Sequence, residues 1–562
     1  MIERDLGALA NREYDVLVVG GGIFGACAAW DAALRGLSVA LIERRDFGSG
    51  TSANSFKMVH GGIRYLQHAD VYRIRESSRE RTALLRIAPH LVSPLPVLIP
   101  TYGHGREGRE LLSAGMLAYD SLTLDRNRGL SDPDRRIPRC RIASRDECLE
   151  ALPNLESKGL TGGALFHDGQ VHNTPRLVLA FLKSAGSAGA VVANYVEATG
   201  FLRNDDAVAG VRARDTLTGE TFEVRSRVVL NCAGAWAERL LSLEADLALS
   251  PGTYSRDACF VVPRRWDAPW ALAVQGRTSD PDAIVSRKAR HLFMVPWRDH
   301  TLVGVWHQVF DGDPDRLAVD ESELQTFIDE INWAYPAADL TLADVSFVNA
   351  GLVLFGKNTP GARDLSYGKR SRIVDHAKRH GIEGLISVIG VRATTARGVA
   401  DRAVRMTCRQ LGRAAGAAGT DVVPLVGGNM ATFREELASA RARYADVPAE
   451  AIPGLIRNHG SEHERVLAHA VDSPDWSRPL HGTTVLKAQV VNAVRDESAR
   501  KLGDVVFRRT ELGSGGDPGD AAIRECARLL SKELAWTDAR TAAEIDEVRA
   551  VFPRSGRSST TP

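Results

Sequence analysis

A glycine-rich turn near the start of the chain constrains the fold more than any other feature. It lies in VLVVGGGIFGACAAWDAALRGLSVALIERRD, where Gly20, Gly22 and Gly25 match the pattern G-x-G-x-x-G. Residues 16–19 before the turn are apolar, residues 26–35 after it favour a helix, and residues 39–42 predict a second strand. This is the context in which such a turn binds a dinucleotide. The sequence therefore predicts an α/β fold with a cofactor-binding βαβ unit.

Each glycine of the turn has a physical role. Gly20 permits the tight turn, Gly22 lets the backbone approach a pyrophosphate, and Gly25 allows close packing of helix on strand. Glu43 ends the second strand, where its carboxylate can accept hydrogen bonds from ribose hydroxyls. Arg44, the next residue, would suit a 2′-phosphate, which Glu43 would repel. A glycine-rich turn without a ligand is the alternative.

The chain after this unit does not continue with another nucleotide-binding unit. FGSGTSANSFKMVHGGIRYLQ predicts a long extended loop, in which Thr51 and Ser52 can bond a second part of a long cofactor. Strand-like residues 228–230 and 385–389 follow far downstream, and each is succeeded by a glycine and a helix. Strands divided by long insertions favour a cofactor that lies extended across the domain.

Composition and charge narrow the function classes. Lys and Arg number 71 against 70 Asp and Glu, so we expect no nucleic-acid partner. Seven scattered cysteines without a CxxC pair predict no metal site and a reducing cytoplasm. No signal core or membrane-spanning apolar run is found, which leaves peripheral contact with the inner face of the membrane open. The run RESSRERTALLR predicts a solvated helix face, with lipid binding as the alternative.

Several blocks of the sequence resemble a known family. They are KMVHGGIRYLQH, RIAPHL, DGQVHNTPRLVLA, VVLNCAGAW, FMVPWRDHTLVG, ATTARGVADRAV, NHGSEHERVL and AVRDESARKLGDVVFRRTELG. With the glycine turn, they are similar to blocks of the FAD-dependent glycerol-3-phosphate dehydrogenases, in the amine-oxidase-like (DAO) flavoprotein superfamily. The resemblance implies a Rossmann-like FAD-binding domain interleaved with an antiparallel β-sheet substrate domain, plus a C-terminal helical cap.

The resemblance also implies which residues hold FAD. In chain order they are Gly20, Gly22, Gly25, Glu43, Arg44, Thr51, Ser52, Lys57, His60, Gly61, Gly62, Val196, Gly234, Trp236, Gly390 and Thr394. Lys57 is expected near the pyrophosphate or the ribityl chain, and the backbone of residues 60–62 near the flavin ring. Val196 is expected near adenine, and Thr394 beside the flavin.

On the substrate side the resemblance is incomplete. Arg64 and Tyr65 correspond to positions that bind the substrate phosphate in the family. The chain departs from the family at Cys259 in place of a histidine, His307 in GVWH in place of GTTD, Val353 in place of an arginine and Arg392 in place of a lysine. Each charge-assisted bond lost from a phosphate clamp costs about 1.5 to 3 kcal/mol. Arg392 and Lys369 are candidates to restore a cation.

These departures bear on the substrate. We expect a small-molecule substrate, a polyol phosphate or a sugar derivative, in a more apolar pocket lined by Val353, Phe355 and Trp306. The expected reaction is oxidation of a secondary alcohol, as of glycerol-3-phosphate to dihydroxyacetone phosphate, by hydride transfer to flavin N5. An amine or hydroxy-acid oxidase of the same superfamily and a flavin-binding scaffold without activity are the alternatives. The electron acceptor is quinone, oxygen or a protein.

Three residues are candidates for the chemistry. Arg392 can stabilise negative charge on the reduced flavin or on a developing alkoxide. His60 and His307 are candidate bases, because histidine titrates near working pH. His60 could instead bond the glycine-rich loop, and His307 could merely fill space in a strand.

The domain boundaries are also predicted from the pattern. Residues 1–430 are expected to combine the FAD-binding and substrate domains, with the antiparallel sheet largely in residues 250–355. Residues 431–552 turn helical and predict the cap, and residues 553–562 a disordered tail. A homodimer is compatible with the sequence.

Overall fold

Two large sheets and a C-terminal group of helices make up the fold. The computed structural model describes residues 1–104, 109–152, 154–244, 247, 253–280, 283, 289–356, 358–359, 365–366, 370–553 and 559–560. Lys369 therefore lies outside the described residues.

The first sheet contains the predicted βαβ unit. Its strands are Glu13–Val19, Val39–Ile42, Val191–Ala193, Val196–Asn204, Ala207–Asp215, Thr221–Asn231, Arg372–Asp375 and Leu385–Ile389. Helices Ile23–Leu34, Thr174–Ser187 and Ala396–Gln410 contribute to one buried core with this sheet. Residues 16–18 are completely buried, as is typical of a parallel strand covered on both faces.

The second sheet is mostly antiparallel. Its strands are Met58–Val59, Val92–Tyr102, Arg141–Ala143, Leu160–Val171, Tyr254–Pro263, Ala271–Ser279, Ala289–Trp297, His300–Phe310 and Phe347–Leu354. The predicted segment 250–355 supplies five of these strands within the described part of the chain, and it also contains helix Glu321–Ala334. Earlier parts of the chain supply the other strands, so the two sheets are interleaved in sequence as expected.

The C-terminal part is helical, as predicted. Its α-helices are Phe433–Arg443, Ala451–His459, His463–Ala468, Lys487–Arg495, Leu502–Asp504, Asp520–Leu534 and Asp538–Arg549, and a π-helical turn spans Val505–Arg509. These helices share one hydrophobic core with the second sheet. The boundary at residue 430 stays a prediction. In the predicted tail, Ser559–Thr560 pairs with Ala318–Val319, so these two residues differ from the expected disorder.

The remaining α-helices of the described ranges are Leu6–Ala10, Val71–Ile87, Arg109–Leu122, Arg145–Ala151, Ala237–Leu241 and His376–His380. One of them, Val71–Ile87, differs from its prediction. Helix Val71–Ile87 contains RESSRERTALLR, and the prediction of a solvated face is wrong there because Glu80 and Arg81 are buried and paired with other elements. Within the described ranges, no helix is long and apolar enough to cross a membrane.

Candidate active site

A cavity of about 580 Å³ lies at the carboxyl ends of the parallel strands. The strand order is 385–389, 221–231, 13–19, 39–42 and 191–193. Because parallel strands end at the same edge, the segments that follow them line this edge in the same order. Gly390 and Thr394 therefore lie towards one end of the cavity, Gly20 and Gly22 in the middle, and Glu43 towards the other end.

The glycine turn is shaped by close contacts that exclude a side chain. Gly20 has a φ of +111°, and a Cβ there would lie 2.6 Å from the carbonyl oxygen of Cys232. A Cβ on Gly25 would lie 1.9 Å from the carbonyl oxygen of Gly20, beneath the turn and away from the cavity wall. Gly22 is the N-cap of the helix that begins at Ile23, and it has no side chain that could bond the amides of the first turn. The first turn of this helix therefore offers its amide end to the cavity.

Glu43 both lines the cavity and fixes the turn. Its Oε2 accepts a hydrogen bond from the Gly21 N–H at 2.7 Å, and its Oε1 accepts one from the Arg45 N–H at 2.9 Å. Burial raises the pKa of Glu43 despite these bonds. Arg44 also lines the cavity, where its guanidinium stacks on Trp236 and pairs with Asp315.

Two residues with hydroxyl side chains connect the loop after strand Val39–Ile42 to other walls of the cavity. Ser52 Oγ accepts a hydrogen bond from the Ile23 N–H at 2.9 Å. Thr51 Oγ1 donates to the Leu352 carbonyl at 2.9 Å and accepts from the Leu352 N–H at 3.0 Å, which links the loop to the second sheet. This cavity wall consists of the turn at Gly20 and Gly22, the amino end of the following helix, and Glu43. It fits an extended dinucleotide whose pyrophosphate lies at the turn.

The loop of residues 60–62 is held from behind by buried groups. The Gly61 N–H donates to Asp168 Oδ1 at 2.6 Å, and the His60 N–H donates to Thr394 Oγ1 at 3.3 Å. His60 lines the cavity, whereas Gly61 and Gly62 lie behind its wall. Burial, with Arg392 and two further arginines nearby, lowers the pKa of His60 to about 3. The imidazole is therefore neutral at working pH and too weak a base to draw a proton efficiently.

Arg392 lines the cavity beside Gly390 and Thr394. Its NH2 group donates to Glu76 Oε2 at 2.6 Å, and its NH1 group donates to Ser77 Oγ at 2.9 Å. The predicted anion-stabilising charge is thus present at the cavity, but it is paired with a carboxylate.

The second sheet contributes a carboxylate that the sequence did not indicate. Asp257 lines the cavity together with Cys259 and Val353, while His307 lies behind it. Asp257 Oδ1 is bonded to His307 Nδ1 at 2.7 Å and accepts a hydrogen bond from Ser255 Oγ at 2.6 Å. Within the described ranges no residue donates to Asp257 Oδ2, so this oxygen can accept a bond from a ligand. Burial raises the pKa of Cys259 to about 11, which makes it a neutral thiol.

Several predicted site residues lie elsewhere. Lys57 is buried behind the cavity, where its Nζ donates to Asn349 Oδ1 at 3.2 Å and burial lowers its pKa to about 8. Arg64 is 3.5 Å from Asp280 and Tyr65 packs between Arg73 and Arg392, both outside the cavity wall.

The sequence predicts a pocket wall built from Val353, Phe355 and Trp306, and of these three residues Val353 lines the cavity. Trp306 points into a separate core, where its ring stacks on Phe327 with centroids 5.2 Å apart. Phe355 packs near the ring of His307 instead of reaching the cavity. The alternation of a strand fixes only which residues share a face, and the neighbouring helix Glu321–Ala334 determined which face became core.

The fold and the cavity define a dinucleotide-binding protein in which a second, mostly antiparallel sheet lines part of the same cavity. Comparison with known families gives two matches, "FAD dependent oxidoreductase" over residues 15–406 and "C-terminal domain of alpha-glycerophosphate oxidase" over residues 418–541. The chain belongs to the FAD dependent oxidoreductase family, and its cofactor is FAD.

Individual relatives match along almost the whole chain. A glycerol-3-phosphate dehydrogenase of Synechocystis sp. is 33% identical, with 97% of each chain covered. A glycerol-3-phosphate dehydrogenase of Mycobacterium leprae is 31% identical, over 96% of this chain and 88% of the relative. The structure of the Bacillus halodurans glycerol-3-phosphate dehydrogenase complexed with FAD matches with a TM-score of 0.74 at 24% identity, over 97% of this chain and 95% of that one, which shows a shared fold.

Proposed function

We propose that this chain is an FAD-dependent dehydrogenase that oxidises the secondary alcohol of glycerol-3-phosphate, or of a closely related polyol phosphate or sugar derivative. The observation that carries the proposal is the 33% identity to a glycerol-3-phosphate dehydrogenase over 97% of both chains. The cavity supports it, because groups able to bind a hydroxyl and an anion face the same space.

The chain's own residues have distinct roles in this proposal. FAD, when bound, supplies the acceptor for the hydride that leaves the alcohol carbon. Arg392 stabilises negative charge that develops at the cavity during the reaction. Asp257 accepts the hydrogen bond of a substrate hydroxyl, and His307 behind it holds the carboxylate and shares the released proton. His60 acts as a neutral hydrogen-bonding group and as part of the wall, because its lowered pKa makes it a poor base.

The carboxylate of Asp257 also supports a second candidate. A carboxylate on the wall, with Val353 in place of an arginine, favours a substrate that donates hydrogen bonds, including the ammonium group of an amine. An amine or hydroxy-acid oxidase is therefore the alternative activity to test.

Anaerobic reduction of the purified flavoprotein distinguishes these activities. Glycerol-3-phosphate, a second polyol phosphate, glycerol, an amino acid and a hydroxy acid are each mixed with the enzyme without oxygen, and flavin absorbance is followed. We expect fast bleaching with glycerol-3-phosphate or the second polyol phosphate. Bleaching only by the amino acid or the hydroxy acid would replace the proposal with its alternative, and bleaching by none of them would indicate the scaffold.

The finer assignments belong to the same proposal. We propose quinone, oxygen or a protein as the acceptor of the electrons, a cytoplasmic location with peripheral contact at the inner face of the membrane, and a homodimer. Reoxidation of the reduced enzyme by a soluble quinone analogue and by oxygen, compared in parallel, tests the acceptor. Sedimentation with and without vesicles tests membrane contact and oligomeric state.

A further inference from the structure

Helix Val71–Ile87 places two glutamates, one helical turn apart, against the segment that follows strand Leu385–Ile389. The first, Glu76, accepts a hydrogen bond from Arg392 at 2.6 Å and lies 3.2 Å from Arg402 NH1. The side chains of Glu76 and Arg392 are each only 11% exposed. Their attraction is therefore screened far less than that of a surface ion pair.

The second glutamate forms a similar pair that does not reach the cavity. Glu80 accepts two hydrogen bonds from Arg397, at 2.6 Å and 2.9 Å. Arg397 lies outside the wall of the main cavity, whereas Arg392 forms part of it. Each of the two glutamates thus binds an arginine of the segment after strand Leu385–Ile389, and of these two arginines Arg392 lines the cavity whereas Arg397 does not.

We propose that Glu76 is a positioning residue that holds the Arg392 guanidinium at the cavity wall and, by offsetting part of its charge, lowers the reduction potential of the bound FAD. A positive charge near a flavin favours the electron-rich reduced form, and a carboxylate bonded to that charge opposes the effect. Ser77 fixes the second nitrogen of the same guanidinium, so the charge is held in one place. The pair joins helix 71–87 to residue 392, which are far apart in sequence.

The proposal rests on FAD binding and not on the identity of the substrate. Its test is therefore independent of the proposed function, since the potential is measured without any substrate. The midpoint potential of the purified flavoprotein is determined with a reference dye for the wild type, Glu76→Gln and Glu80→Gln. Flavin content and thermal unfolding are measured for each variant in parallel.

We expect Glu76→Gln to shift the reduction equilibrium towards reduced flavin by about tenfold, which is about 30 mV for a two-electron couple. Glu80→Gln, the matched control, should lower stability to a similar degree and leave the potential within a few mV. An unchanged potential in Glu76→Gln, or an equal shift in both variants, would overturn the proposal.

A second variant covers the case in which Glu76→Gln does not retain FAD. Arg402 is a second cation at Glu76 and is 45% exposed, so its replacement is tolerated more easily. Arg402→Gln leaves the carboxylate wholly to Arg392, and we expect the potential to fall. A potential that stays at the wild-type value in Arg402→Gln would contradict the role of Glu76.

Discussion

Replacing Asp46 with asparagine should detach the C-terminal helices from the FAD-binding part of the chain. Asp46 Oδ2 accepts hydrogen bonds from Arg508 Nε and Arg509 NH1, each at 2.6 Å, and Oδ1 accepts one from Arg509 NH2 at 2.7 Å. The carboxylate is completely buried. The two arginines hold the pKa of Asp46 at about 2, below its ordinary value of 3.8.

The magnitude follows from this geometry. Removing one partner of a buried ion pair costs about 3 to 5 kcal/mol. In Asp46→Asn, Arg509 loses the carboxylate that it binds, whereas Arg508 keeps its 2.8 Å bond to Asp504. We therefore expect Asp46→Asn to lower the free energy of unfolding by about 3 to 5 kcal/mol.

The assay is urea unfolding followed by tryptophan fluorescence and, separately, by flavin release. Glu223→Gln is the control, because its 2.8 Å pair with Arg225 is exposed and such pairs contribute at most about 1 kcal/mol. A loss below about 1 kcal/mol for Asp46→Asn, equal to that of the control, would show that Asp46 does not anchor the C-terminal helices.

Three further predictions follow from the site and its surroundings. Gly25→Ala should abolish FAD retention, measured by bound flavin absorbance, because its Cβ would lie 1.9 Å from the Gly20 carbonyl oxygen. Asp257→Asn should raise KM for the substrate about tenfold, the loss expected for one charge-assisted hydrogen bond, with a smaller change in kcat. The pKa values of Asp46 and Asp496 are both lowered to about 2 in the folded protein. The two carboxylates therefore stabilise the fold above pH 3.8, and this contribution is lost as the pH falls to about 2. Acid unfolding monitored by fluorescence measures the loss.

The cofactor half of the site could be predicted from sequence because its signals are local. The glycine turn, the helix after it and Glu43 lie within one short stretch, where spacing alone fixes their geometry. The interleaved fold followed from the resemblance of whole blocks. The local sequence pattern is sufficient to predict a site where residues that are close in the chain are also close in space.

The remaining features depend on contacts between distant residues. Asp257 reaches His307 only through strand pairing, and Asp46 is 462 residues from Arg508. The charged face of helix Val71–Ile87 looked solvated because a sequence does not show that Arg392 and Arg397 pack against it. Such partners are set by tertiary packing, which the periodicity of a single helix cannot reveal.

The most direct test of the proposed activity is anaerobic flavin reduction by glycerol-3-phosphate carrying hydrogen or deuterium at C2, with product analysis. We expect stoichiometric bleaching, slower reduction with deuterium because the C2–H bond breaks, and dihydroxyacetone phosphate as the product. No bleaching by glycerol-3-phosphate, from an enzyme that an amino acid or a hydroxy acid does reduce, would contradict the proposed activity.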